Sequence, residues 1–187
     1  MKIYLASKSP RRQSLLGQIG IDFDCVSSEI DESPQFNENP IDYVQRMARE
    51  KAINGWQNAD RIINIPLLAA DTSVVIGDDI LGKPVDSAQA FEMLMRLSEK
   101  THQVMTAVAV KNESLIKLVT SITYVTFDSL TEQQINDYIE TKDCFDKAGS
   151  YGIQGYAARF ITSISGSYSG VVGLPLYETA KLLEEFD

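Results

Sequence analysis

The chain has 187 residues, of which 44% are hydrophobic and 23% are charged, and this size and composition predict one domain, residues 1–187, with a real core. Its formal net charge of −9 argues against broad binding to nucleic acid or to an anionic membrane, although a small anionic ligand is still allowed where cations are concentrated. No apolar run approaches the ~20 residues of a spanning helix, and two cysteines form no disulfide framework, which predicts a cytoplasmic protein.

The N-terminal stretch predicts a strand, Ile3–Ala6, followed by a helix, Pro10–Ile19. Proline fits the first helical turn, and the serine before it is the expected N-cap. Two arginines in that turn oppose the helix dipole, so they destabilise the helix unless an anion neutralises them. The residues that predict a phosphate site here are two serines, a lysine and two arginines: Ser7, Lys8, Ser9, Arg11 and Arg12. A solvated helix start is the alternative.

A short strand, Phe23–Ser27, leads into the acidic segment 28–34. The carboxylates of this segment, Glu32 among them, either form a solvated turn or hold a hard divalent cation. A second helix is predicted to begin at Asn39-Pro40, run to about Ile53 and close near Asn54-Gly55. Lys51 falls on its apolar stripe, where a lysine either extends along the core surface to solvent or reaches into a cleft.

Two apolar runs, 66–70 and 74–76, predict two strands interrupted by Asp71-Thr72-Ser73. A carboxylate and two hydroxyls are costly to bury without hydrogen-bond partners. Asp71 is therefore either hydrogen-bonded structurally or functional.

Two further helices carry N-terminal capping signals. Gly82-Lys83-Pro84 precedes a helix for which Asp86 is the expected N-cap and Gln89 the capping-box partner. The apolar face predicted for that helix consists of Phe91, Leu94 and Met95. Thr131 with Gln134 is a second capping box, which starts a later helix.

Two long apolar runs, about Thr101–Val110 and Leu115–Phe127, predict a hairpin in a strongly twisted sheet. The single histidine, His102, lies in the first of these strands. One histidine excludes a His-rich zinc site, and its place in an alternating strand pattern predicts a structural role.

The loop Phe145–Gly155 is the most unusual in the chain, because three glycines are interleaved with aromatic and apolar residues. Glycines let a backbone approach a ligand closely. Lys147 supplies a cation, and the amide of Gln154 both donates and accepts hydrogen bonds. A flexible glycine loop is the alternative, but the apolar residues favour order. Further along, Pro175 is predicted to start a last helix.

Six motifs, in one order along almost the whole chain, resemble those of the Maf proteins, nucleoside triphosphate pyrophosphatases once called septum formation inhibitors. They are Ala6-Ser7-Lys8-Ser9-Pro10-Arg11-Arg12, Glu50-Lys51-Ala52, Ala70-Asp71-Thr72, Gly82-Lys83-Pro84, Asp146–Gly155 and Val172-Gly173-Leu174-Pro175. The resemblance implies an α/β fold like that of the related inosine triphosphate pyrophosphatases, with a long twisted mixed β-sheet flanked by helices and a central cleft.

The resemblance also implies a reaction: cleavage of the α–β phosphoanhydride of dTTP or UTP, giving a monophosphate and pyrophosphate, in a house-cleaning role. At the positions that distinguish the branches of the family, this chain has Arg12, Thr72 and Gln154, a combination that resembles the branch that cleaves dTTP and UTP. Another branch of the family prefers 7-methyl-GTP. The catalytic residues implied are Asp71 as proton acceptor, Glu32 and Lys83. The substrate-binding residues implied are Ser7, Ser9, Arg11, Arg12, Lys51, Thr72, Lys147 and Gln154. Glu32 and Asp71 are expected to hold Mg²⁺ or Mn²⁺.

The expected partner is therefore a small nucleoside triphosphate, with neither nucleic acid nor membrane, and the resemblance is compatible with a homodimer. Two alternatives stay open: a nucleotide-binding regulator of septum formation without significant turnover, and a hydrolase of purine triphosphates.

Overall fold

The computed structural model of the chain describes residues 1–59 and 65–186. The strands are β1 (Lys2–Leu5), β2 (Asp22–Cys25), β3 (Leu67–Ile76), β4 (Asp79–Leu81), β5 (Thr101–Lys111), β6 (Ile116–Phe127) and β7 (Ile161–Ser165). The helices are α1 (Pro10–Gln18), α2 (Pro40–Asn58), α3 (Ser87–Leu97), α4 (Glu132–Glu140), α5 (Tyr168–Val172) and α6 (Leu176–Glu184). Within the described ranges, no helix is both long and apolar enough to cross a membrane.

All seven described strands belong to one mixed sheet, in the order β2-β1-β3-β5-β6-β7, with β4 paired to β3. β1 runs parallel to both β2 and β3, whereas β4 is antiparallel to β3 and β7 is antiparallel to β6. The predicted hairpin is present: β5 and β6 are neighbours, and the backbone N–H of Asn112 donates to the carbonyl of Leu115 at 3.0 Å. The predicted α/β class with a mixed sheet is confirmed.

The chain forms two compact units, and each has its own set of buried side chains. The first unit comprises Met1–Asp71, Thr106–Ser121 and Gly173–Asp187, and the second comprises Thr72–Met105 and Ile122–Val172. Three strands, β3, β5 and β6, contribute residues to both units. The expectation of a single domain over residues 1–187 stays a prediction.

In the first unit, α2 is longer than the sequence pattern predicts. Asn39 caps it as expected, because its side chain accepts the backbone N–H of Asp42 at 3.0 Å. The predicted end near Asn54-Gly55 is wrong, since the helix continues to Asn58. A Cβ on Gly55 would lie 2.7 Å from the Cβ of Ala6, so this glycine serves close packing against the residue after β1 rather than helix termination.

The two predicted strands around Asp71 form one strand, β3. β1 pairs with Leu67 and Leu68 of β3, whereas β4 pairs with residues 74–76. Asp71 lies in the stretch that separates these pairings. The polar residues interrupt the hydrophobic pattern but not the backbone, because a strand needs only its main-chain hydrogen bonds to continue.

The second unit has a core in which α3 and α4 meet the strands. α3 buries Ala90, Met93, Leu94 and Leu97, while Met95, predicted to face inward, is 40% exposed. The caps form at both helices. The Thr131–Gln134 box is complete at α4. At α3, Asp86 accepts from Gln89, but the Gln89 side chain accepts from the N–H of Val85 and not from that of Asp86, so the predicted box is half formed.

Candidate active site

The turn before α1 is organised by Ser7 and not by the predicted N-cap. Ser9 has the extended backbone of an N-cap, with φ −70° and ψ 116°, but its side chain caps no helical N–H. The Ser7 hydroxyl instead accepts the backbone N–H of Ser9 at 3.2 Å and Nη1 of Arg12 at 3.3 Å. The first turn of α1 contains no acidic residue, so two arginines stand there unbalanced by any acid of that turn.

Arg12 is fixed by a contact from the far end of the first unit. Its Nε donates to the backbone carbonyl of Gly173 at 2.8 Å. Burial lowers the pKa of Arg12, and the negative charges of Asp71 and then Glu32 oppose that shift. The guanidinium is therefore partly desolvated and lies in the electrostatic field of both predicted acids.

Lys51 joins those two acids. Its Nζ lies 2.7 Å from Oε1 of Glu32 and 2.8 Å from Oδ1 of Asp71. The side chains of Lys51 and Asp71 are 12% and 13% exposed, while that of Glu32 is 52% exposed. Lys51 therefore binds two carboxylates and does not simply extend along the core surface to solvent, while its predicted reach into a cleft stays a prediction. We call Glu32, Lys51 and Asp71 the acid–lysine cluster.

The acid–lysine cluster supplies two carboxylates that converge on one positive charge. Hard cations such as Mg²⁺ take oxygen ligands and usually keep several waters or phosphate oxygens in addition to one or two carboxylates. Within residues 1–59 and 65–186 there is no group of three or more metal-ligating side chains. Glu32 and Asp71 therefore fit a magnesium-type site completed by water and substrate, and do not fit an all-protein cage.

In the second unit, the turn that carries Lys83 is bonded to the loop that carries Lys147. The backbone N–H of Gly149 donates to the carbonyl of Gly82 at 3.0 Å. Lys83 is exposed, and it makes no hydrogen bond or ion pair with any other residue in the described part of the chain. Its ammonium is thus open to solvent and to an anion.

Lys147 is held by its own neighbours. Its Nζ donates to the carbonyl of Asp143 at 2.5 Å, to Oδ1 of Asp143 at 2.8 Å and to Oδ1 of Asp146 at 2.6 Å. These contacts use all three of its N–H groups, and the side chain is only 12% exposed. We call Asp143, Asp146 and Lys147 the Lys147 cage.

The glycines of this loop are packed against other side chains, which favours the predicted ordered loop over the flexible alternative. Gly149 has φ +67°, and a Cβ there would lie 2.7 Å from Cγ1 of Val74. A Cβ on Gly152 would lie 2.6 Å from Cε of Lys147. Tyr151 and Ile153, between these glycines and Gly155, are 5% and 7% exposed. The glycines thus admit the chain's own side chains, while their predicted approach to a ligand stays a prediction.

The other predicted substrate-binding residues are at least partly accessible: Ser9, Arg11 and Thr72 are half-buried, and Gln154 is exposed. Thr72 follows Asp71 directly in β3.

His102 is a core residue, as predicted. Its Nε2 lies 2.7 Å from the hydroxyl of Tyr151, and its ring meets that of Phe127 edge-on at 5.1 Å. Burial lowers the pKa of His102 to about 4, so the imidazole is neutral at physiological pH.

Sequence reasoning missed several residues that hold the predicted ones. Asp143 and Lys147 have the i, i+4 spacing of a helical ion pair, a signal that could have been found. Tyr43 and Arg46 share a face of α2, but nothing in their spacing identifies the acidic segment as their partner. Nothing in the sequence pattern indicates that the backbone carbonyl of Gly173 accepts a hydrogen bond from Arg12.

The family model described as Maf-like protein matches residues 2–186. Proteins named dTTP/UTP pyrophosphatase are similar over nearly the whole chain. That of Pseudoalteromonas atlantica is 50% identical over 97% of this chain and 95% of its own, and that of Chromobacterium violaceum is 47% identical over 99% and 94%. That of Dechloromonas aromatica is 45% identical over 98% and 96%.

A solved structure of a nucleoside-triphosphatase/dITP/XTP pyrophosphatase from Mycobacterium abscessus aligns over 68% of this chain and 74% of its own. Its TM-score of 0.42 and identity of 16% are too low to support an inference about this chain.

Proposed function

The chain belongs to the Maf family, and from that premise we propose that it is a nucleoside triphosphate pyrophosphatase that hydrolyses dTTP and UTP. Water adds to the α-phosphorus, the α–β phosphoanhydride breaks, and the products are the nucleoside monophosphate and pyrophosphate. Relatives that share 45–50% of their residues with this chain carry that name. The observation that carries the proposal is the acid–lysine cluster, in which Asp71 and Glu32 meet one ammonium.

The basic residues counter the charge of the substrate. A triphosphate has about four negative charges that repel an attacking water, so catalysis depends on positioning and charge neutralisation. The groups proposed to bind phosphate oxygens are Ser7, Ser9, Arg11, Arg12 and Lys51, with Lys83 and Lys147 screening the leaving pyrophosphate. Partial burial of Arg12 supports its part in this, because its guanidinium has less water to displace than a fully exposed one.

Asp71 is proposed as the residue that takes the proton of the attacking water. Because its Oδ1 already accepts a hydrogen bond from Lys51, the carboxylate is held in a fixed orientation. A divalent cation held by Glu32 and Asp71 would supply a bound water of lowered pKa, and the two converging carboxylates fit that ion.

The base is proposed to be selected by Thr72 and Gln154. Uracil and thymine present an imide edge with one donor flanked by two acceptors, and the exposed amide of Gln154 offers both complementary functions. The same chemistry extends to pyrimidine triphosphates modified away from that edge. A cytoplasmic house-cleaning role, without nucleic acid as partner, and assembly as a homodimer complete the proposal.

The test is a substrate panel. Purified protein is mixed with UTP, dTTP, CTP, ITP and 7-methyl-GTP, each with Mg²⁺ or Mn²⁺, and pyrophosphate is measured. We expect pyrophosphate from UTP and dTTP and none without metal. A preference for ITP or 7-methyl-GTP would overturn the pyrimidine assignment, whereas nucleotide binding without any pyrophosphate would favour the regulator.

A further inference from the structure

We propose that Tyr43 and Arg46 of α2 are positioning residues that hold residues 31–38, which begin within the acidic segment 28–34, so that Glu32 is presented to Lys51 and Asp71. This inference rests on the proposed function, since it assigns a task to Glu32. The segment lies between β2 and α2, outside every helix and strand, and residues 31–37 are all exposed. An exposed loop of this kind is expected to be mobile unless side chains tie it down.

The first tie acts on Glu32 itself. The hydroxyl of Tyr43 donates to the backbone carbonyl of Glu32 at 2.8 Å. A tyrosine hydroxyl carries its proton at neutral pH, so it can act as the donor in this contact.

The second tie is a forked ion pair on the next turn of α2. Nε and Nη2 of Arg46 lie 2.6 Å and 2.7 Å from the two carboxylate oxygens of Glu38, and Nη2 also donates to the carbonyl of Ser33 at 3.0 Å. The side chains of Arg46 and Glu38 are 18% and 8% exposed, so this pair is shielded from water, unlike the loop around it.

The loop is also braced from within, on both sides of Glu32. Oδ1 of Asp31 accepts the N–H of Ser33 at 2.9 Å, and Oε2 of Glu38 accepts the N–H of Gln35 at 3.0 Å. The carbonyls of Glu32 and Ser33 are thus tied to α2, and Lys51, two turns further along the same helix, binds the Glu32 carboxylate. One helix therefore fixes both the backbone and the side chain of this acid.

This arrangement explains how a half-exposed carboxylate keeps a defined place. With only its ion pair to Lys51, Glu32 would be one of many surface contacts of little energetic weight. With its backbone fixed, it can meet a cation or a water at a repeatable distance, and a misplacement of about 1 Å can cost an enzyme a hundredfold in rate.

The test compares Tyr43→Phe and Arg46→Lys with matched controls. Tyr156→Phe removes a hydroxyl that contacts Arg159 at 3.0 Å, and Arg96→Lys removes a guanidinium paired with Asp79 at 2.5 Å. These residues belong to the second unit, whereas the acidic segment belongs to the first. We expect Tyr43→Phe to lower kcat for UTP about tenfold, and Arg46→Lys more, with KM changed less than about twofold. The controls keep wild-type kcat.

Amide hydrogen exchange supplies a readout that needs no activity. Exchange within residues 31–38 should quicken in Tyr43→Phe and Arg46→Lys and stay unchanged in the controls. Unchanged exchange, or faster exchange with wild-type kcat, overturns the inference. Tyr43→Phe loses a single oxygen and is expected to fold even where Arg46→Lys does not.

A second measurement separates failure of this inference from failure of the proposed function. The coupling between Lys51→Met and Glu32→Gln is measured by urea unfolding in the wild-type and Tyr43→Phe backgrounds, and we expect it to fall by about half in the latter. If the wild-type protein hydrolyses neither UTP nor dTTP, the proposed function fails. In that case the coupling energy and the hydrogen exchange still test the positioning role of Tyr43 and Arg46. A coupling energy that is the same in the wild-type and Tyr43→Phe backgrounds overturns the inference.

Discussion

Two lysines in this protein each pair with two carboxylates, but the carboxylates come from different parts of the chain in the two cases. Lys51 in the first unit and Lys147 in the second each contact two carboxylates, and each side chain is 12% exposed. The acids around Lys51 come from the acidic segment and from β3, whereas those around Lys147 come from one loop, four residues and one residue before it. The contacts of Lys51 therefore require the folded unit, whereas those of Lys147 form between residues of a single turn.

The difference bears on what each lysine can do. In the acid–lysine cluster, Asp71 is 13% exposed and belongs to β3, whereas Glu32 is 52% exposed, so the Lys51–Asp71 pair is the one shielded from water. In the Lys147 cage the acids are 36% and 65% exposed, so water can replace any contact that the lysine gives up. We therefore expect the first arrangement to matter more for both catalysis and stability.

The largest effect expected is on turnover. Asp71→Asn should lower kcat for UTP about a hundredfold or more, because the proposed proton acceptor and metal ligand is lost, while the protein stays folded. Asp143→Asn in the Lys147 cage is the matched control and should lose far less. Full activity of Asp71→Asn with a persisting metal requirement would exclude Asp71 as the base.

A smaller effect distinguishes the two lysines by stability. Lys51→Met leaves Glu32 and Asp71 facing each other without their shared cation, and should cost about 1–3 kcal/mol of unfolding free energy. Lys147→Met should cost less than about 1 kcal/mol, since its acids are solvated. Urea unfolding of both variants measures this, and equal losses would remove the distinction.

Within the second unit, substitution of two glycines tests which contacts hold the loop Phe145–Gly155 in place. Gly149→Ala should destabilise the protein by about 1–3 kcal/mol, because of its positive φ and the contact with Val74. Gly152→Ala meets only the end of the Lys147 side chain, which can move, so it should loosen the cage at a smaller cost in thermal midpoint. The reverse order would mean that the cage, and not the packing at Gly149, fixes the loop.

The last comparison separates the two units by the pH dependence of their stability. Hydrogen bonding to Arg46 lowers the pKa of Glu38 from 4.5 to about 2, and burial lowers that of His102 from 6.5 to about 4. Both groups bind protons more tightly when unfolded, so both contributions are present above the unfolded pKa and are lost on acidification.

As the pH falls, stability should therefore decline between 6.5 and 4 through His102, and between 4.5 and 2 through Glu38. His102→Phe should flatten the first range and Glu38→Gln the second, as measured by urea midpoints against pH. A variant that flattens neither range would show that other groups govern acid unfolding.

Features set by neighbouring residues were predictable from the sequence. Asn39 and Thr131 cap their helices as expected, because a cap needs only the next three residues. The end of α2 was not predictable, because Gly55 is required for close packing against Ala6, which lies nearly fifty positions away in the sequence. The same holds for the single strand around Asp71, whose edge partners β1 and β4 are set by the topology of the sheet.

In the candidate site, too, some features were predictable from the sequence and others depend on tertiary contacts. The resemblance identified Lys51, Asp71 and Glu32 as members of one site, and the structure brings these three together. Which lysine pairs with which acid depends on tertiary contacts, so the sequence pattern could not assign it. The ties from Tyr43 and Arg46 to the acidic segment were missed for the same reason.

The contact between Arg12 and Gly173 has a consequence for how the protein is made. A ribosome releases α1 early, yet the carbonyl that orients this guanidinium is polymerised 161 positions later. A nascent chain therefore contains Arg12 without its carbonyl partner until residue 173 has been added. The phosphate-binding turn proposed above would then be completed only after residue 173 has been added.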